Sequence, residues 1–144
     1  MRRWNWETAA SVMLTTLVLQ ASALAQAVKQ LEVAPESVIA APRDGRILML
    51  VDVQAHKKWL LEQSEDVRKS ALIATATYYA TQTLQSGRFD GFTDAEVILA
   101  MVENMDEYAR PNYGGMVRLG TVLVRRANDN VEVVSETLQP GLVK

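Results

Sequence analysis

A chain of 144 residues with 49% hydrophobic and 22% charged residues has the size of one domain and the composition of an ordinary folded protein, which excludes a disordered chain and a multi-span membrane protein. A net charge of −2, with no dense Lys/Arg run beside aromatics, provides no electrostatic footprint for DNA or RNA, so no nucleic-acid partner is expected. The absence of cysteine removes disulfides, thiol nucleophiles, cysteine-ligated zinc and iron–sulfur clusters together, and leaves stability to a mainly aliphatic core.

The chain opens on a basic Met1-Arg2-Arg3, continues through an uncharged and mostly apolar stretch, and reaches the small residues Ala23-Leu24-Ala25. That order is the pattern of a secretory signal peptide over residues 1–25, cleaved after Ala25. Two other physical readings compete. Residues 8–28 carry no charge and, as a helix, are just long enough to remain as a single-pass inner-membrane anchor. The same residues also suit an ordinary helix running through Val28 and Leu31 until Pro35 stops it.

Residues 26–45 contain Pro35 and Pro42 and end in Arg43-Asp44-Gly45, which reads as a linker closed by a turn. A single α+β domain is then expected over residues 46–144. The apolar run Ile47-Leu48-Met49-Leu50-Val51 suits a buried strand. From Val53 the period becomes helical, with Ala55, Trp59 and either Leu60 or Leu61 on one side. A second helix is expected after Ser64: Glu65 and Asp66 suit its positive end, and Val67, Ala71, Ala74, Tyr78 and Gln82 share a face before Gly87 stops it.

Thr93-Asp94-Ala95-Glu96 has the form of a capping box, followed by Val97, Ile98, Met101, Val102, Met105 and Tyr108 at three- and four-residue steps. This predicts a third helix over residues 94–109, ended by Pro111. Residues 116–126 are dense in Val, Leu and Thr, Asn128-Asp129-Asn130 is turn chemistry, and residues 131–138 alternate, so the two runs predict a β-hairpin. The fold class expected is therefore α+β: three helices packed on a small, mostly antiparallel sheet with a C-terminal β-hairpin.

Chemistry-bearing constellations are sparse. Asp52 and the single histidine, His56, are four residues apart and would share a helix face as an orienting carboxylate and a base, but no nucleophile motif completes them. With Tyr78 they are the alternative polar pocket of a small enzyme or ligand carrier. Asp90, Asp94 and Glu96 lack the ligand spacing of a calcium loop, and the glycines match no phosphate-binding pattern, so neither a metal nor a cofactor is expected. The loop after the third predicted helix combines Arg110, Asn112 and Tyr113 with Pro111, and Tyr and Arg concentrate binding energy at interfaces, which makes these three the candidate contact residues. No catalytic residue is assigned. By elimination, the expected function is non-catalytic: an exported, periplasmic or secreted bacterial binding, adaptor or inhibitor-like protein with a protein partner. The leader carries the expectation of export, and it is directly testable: N-terminal sequencing of protein made in a bacterial host should begin at Gln26, whereas full-length soluble protein in the cytosol would exclude cleavage.

Overall fold

A computed structural model describes residues 30–103 and 115–144. Five strands form one mixed sheet whose spatial order is their chain order: β1 (Val38–Arg43), β2 (Arg46–Asp52), β3 (Asp94–Met101), β4 (Val117–Ala127) and β5 (Asn130–Glu136). All neighbours are antiparallel except β2 and β3, which run parallel. A parallel pair cannot be joined by a tight turn, so the chain must cross a face of the sheet between them. It does so through a 3₁₀ turn (Gln54–His56), a short α1 (Lys57–Leu61) and a long α2 (Glu65–Gln85).

The three-helix architecture expected from the sequence is thus corrected to a five-stranded mixed sheet with two α-helices among the described residues. The predicted third helix is the main error. Over Asp94–Met101 those residues form β3, with Ala95, Val97 and Leu99 fully buried against α2. An apolar run that is unbroken from Val97 to Val102 satisfies a helical period and a strand period equally, as central strands beside a parallel neighbour do. The capping-box side chains have other partners: Thr93 Oγ1 donates to Asp94 Oδ1 at 3.0 Å, and Glu96 accepts from Arg46 Nη1 at 3.1 Å. The rest of that predicted helix, 104–109, lies outside the described residues, as do residues 1–29.

Other local readings shift less. Val38–Arg43, read as linker, is instead edge strand β1, where Pro42 is tolerated because an edge residue can face its missing N–H away from the ladder. Residues 31–34, which one reading joined to a helix, are not helical. In α1 only Leu60 enters the core, while Ala55 and Trp59 are exposed. Ser64 does cap α2, accepting from Val67 N–H at 3.3 Å, with Glu65 and Asp66 in the first turn. The buried face of α2 is Ala71, Leu72, Thr75, Ala76, Ala80 and Leu84, turned from the predicted one. The sequence pattern misleads here because the face against the sheet is made of small residues, which let the helix approach closely, whereas the larger Tyr78 points outward.

Thr75 is the one fully buried polar side chain among the described residues. Its hydroxyl donates to Ala71 C=O at 2.7 Å and accepts from Leu31 N–H at 2.8 Å, so neither group is orphaned. One helical turn on, Tyr79 OH accepts from Val33 N–H at 3.0 Å. Two extended residues rise about 6.6 Å and four helical residues about 6 Å, so a strap at Leu31–Val33 stays in step with α2. On β4, Gly120 sits at the bulge between β3 and β4 with φ +143°, and a Cβ there would lie 2.6 Å from Leu138 Cα and Thr137 O.

Two stability predictions follow from these contacts. Gly120→Ala should cost about 2 kcal/mol or more, from backbone strain and overpacking together. Gly45→Ala, at a turn with open space around it, should cost only about 1 kcal/mol for its positive φ. Thr75→Val should cost roughly 1–3 kcal/mol by stranding the Leu31 N–H, with Thr75→Ser much milder. Chemical denaturation of the four variants checks the order.

Candidate functional site

Strand register divides the side chains between two faces, because cross-strand partners share a face. Ile47, Met49 and Val51 on β2, Ala95, Val97 and Leu99 on β3, and Val122 and Val124 on β4 face α2 and are buried. No described helix lies on the opposite face. One row there runs Ile39, Leu50, Ile98 and Thr121 across β1 to β4; the next runs Ala41, Leu48, Glu96, Leu123 and Ser135 across all five strands. Apolar side chains at the sheet centre are therefore only half-buried, and Ile39 is 43% exposed.

Charges flank this apolar centre. Arg125 holds Asp94 bidentately, Nε to Oδ1 and Nη2 to Oδ2 at 3.0 Å each, and Glu132 is the next residue along that row. Nearer the middle, Arg46 Nη1 reaches Glu96 Oε1 at 3.1 Å. From the other end of β4, Arg118 Nη2 donates to Thr121 Oγ1 at 3.2 Å, which turns its side chain back along the strand. On this face lies a concavity of about 430 Å³ with Leu48 and Ile98 as its apolar floor. Arg43, Asp44 and Arg46 at the β1–β2 turn, with Glu96 and Arg118, form its walls.

The residues singled out from the sequence lie elsewhere. Asp52 Oδ1 accepts from the N–H groups of Gln54 at 2.9 Å and Val102 at 3.1 Å, tying the end of β2 to the end of β3. His56 Nε2 is hydrogen-bonded to the Glu32 carbonyl oxygen, and so fastens the strap. Tyr78 is 39% exposed on α2, where its OH accepts from Gln82 Nε2, and its ring stands edge-on to Tyr79. Each of the three has its own hydrogen-bond partner, and none lines the concavity. Arg110, Asn112 and Tyr113 lie outside the described residues, as does the proposed cleavage site. Among the described residues, no cluster of three or more His, Asp or Glu side chains is placed to hold a metal ion, and no helix is long and apolar enough to cross a membrane.

Sequence reasoning missed the open face because its apolar members come from four strands. A signal was present in β2, where Leu48 and Leu50 interleave with Ile47, Met49 and Val51, so the strand is apolar on both faces. Comparison with protein families, with characterised proteins and with solved structures gives no match, and the functional reading rests on this chain's own geometry.

The ion pairs of the site have a pH signature. Hydrogen bonding from Arg125, more than from Thr93, holds the Asp94 carboxyl below the usual carboxylate range. At the helix side of the sheet, the hydrogen bond from Lys69 and the N–H of Leu138 depress Glu136 in the same direction. A carboxyl depressed on folding stabilises the fold above its unfolded pKa, about 4, and loses that contribution as pH falls through the lower folded value. Melting temperature should therefore drop as pH is lowered from about 5 toward 2, and should drop less steeply in Asp94→Asn, as a melt series would read.

Proposed function

We propose that this protein is a non-catalytic binding or adaptor module of the bacterial envelope, exported by its leader, and that it engages a protein partner through the face of the sheet that no described helix covers. The observation that carries this reading is that face itself: Ile39, Leu48, Leu50, Ile98 and Leu123 lie together on rigid strands, rimmed by fixed ion pairs. An apolar centre inside a polar rim is the anatomy of a protein interface. The sheet edges suit a partner less well. Pro42 removes a backbone donor from β1, and the β4–β5 pairing carries an irregularity opposite Leu123/Val124, both of which discourage strand addition. Catalysis would need convergent polar groups, and Asp52, His56 and Tyr78 are each engaged separately.

The test is the double variant Leu48→Thr, Ile98→Thr, which keeps strand propensity while removing the apolar floor. Expected is a melting temperature close to that of the parent, because both side chains are only half-buried, together with loss of the proteins cross-linked to the tagged full chain in its native envelope fraction. Recovery of the same cross-linked set by the variant overturns the reading.

A further inference from the structure

We infer, resting on the reading that the open face is the binding surface, that its concavity accepts a carboxylate-bearing, otherwise apolar segment of the partner protein, held between Arg43 and Arg118 over Leu48 and Ile98. Three guanidinium groups reach this concavity from three different strands, and their commitments differ. Arg46 is neutralised by Glu96 at 3.1 Å. Arg43 has, among the described residues, only Asp44 at 3.8 Å, and the two side chains are 71% and 91% exposed, a contact that water screens almost completely. Arg118 donates to a neutral hydroxyl, Thr121 Oγ1. A guanidinium has five N–H donors in a planar fork that matches a carboxylate, so Arg43 and Arg118, which line the same concavity from different strands, each keep the capacity to receive one.

The surrounding chemistry selects among occupants. A second copy stacked by a two-fold axis through the concavity would set these arginines against their own images, a like-charge arrangement. A nucleic acid would bring phosphates into contact with Asp44, Asp94 and Glu96 as well as with the arginines, on a chain whose net charge is already −2. An extended peptide with a carboxylate flanked by aliphatic side chains meets the arginines with charge and the floor with apolar surface.

The test uses the full chain and a short labelled peptide in which Glu alternates with Val and Ser, against the same peptide with Lys in place of Glu, read by fluorescence anisotropy. Expected is binding of the Glu peptide only, weakened about tenfold or more by Arg43→Gln with Arg118→Gln, where tenfold corresponds to 1.4 kcal/mol, and weakened also by added salt. Melting curves of the variant separate lost binding from lost fold, and the Glu-against-Lys contrast with salt dependence needs no variant at all. Equal binding of both peptides, binding of neither, or indifference of a folded double-Arg variant overturns the carboxylate assignment. If that assignment fails while Leu48→Thr, Ile98→Thr still abolishes envelope cross-linking, the open face stands as the binding surface and only the partner's chemistry is wrong; if both fail, the surface itself is misidentified.

Discussion

The parallel pairing of β2 with β3 is the constraint on which the rest of this structure depends. Every other connection in the sheet joins antiparallel neighbours and needs no crossover, but this one obliges the chain to travel the length of a strand before pairing again. The crossing residues, Gln54 to Gln85, become the helical layer, and because only one such crossing occurs among the described residues, the described helices lie on one face of the sheet. The small side chains of α2 fit that role, since Ala71, Thr75, Ala76 and Ala80 let the helix lie close over β3 and β4. The asymmetry of the molecule is therefore a property of its topology. What remains on the other face is a surface with a half-buried aliphatic centre.

The charges on that surface are arranged by the same register. Arg46 and Glu96 are 50 positions apart, and Asp94 and Arg125 are 31 apart, yet adjacent strands bring each pair together with no loop involved. Paired in this way they contribute little to stability at a solvent-facing site. Of the arginines that line the concavity, Arg46 is held by Glu96, and Arg43 and Arg118 are distinguished from it by what they touch. Asp52 and His56, the most suggestive polar pair by spacing, each have a backbone partner. One secures the ends of two strands and the other secures the strap.

Local signals carried through to the structure where a single element determined them. Ser64 with Glu65 and Asp66 starts α2, Gly87 with φ +77° follows its end, the apolar run at Ile47–Val51 is β2, and the turn residues Asn128 and Asp129 separate β4 from β5. Information failed where two periods or two partners competed. The Val97–Val102 run fits helix and strand alike, and the capping-box pattern ahead of it is decided only by Arg46 and Arg125, both distant in sequence. β1 looked like linker because Pro42 and two adjacent alanines argue against a strand in isolation; its pairing with β2 outweighs them. The open face was illegible for the same reason, since Leu48, Ile98 and Arg118 become neighbours only once the register is known.

The strap at Leu31–Val33 has a consequence for how the molecule breathes. β1 pairs with β2 alone, so residues 30–43 are held by one ladder, the Thr75 and Tyr79 hydroxyls, and the His56 contact to Glu32. Such a segment, joined to the rest along one side, is a natural unit of sub-global opening, able to detach while the β2 to β5 sheet and α2 stay intact. Peeling it away would bare the outer edge of β2 and the apolar flank of α2 at the same moment. The amide protons of β1 would then exchange with solvent as a group, well ahead of those in β3, at a frequency set jointly by the β2 ladder, the Thr75 and Tyr79 hydroxyls and the burial of Leu31.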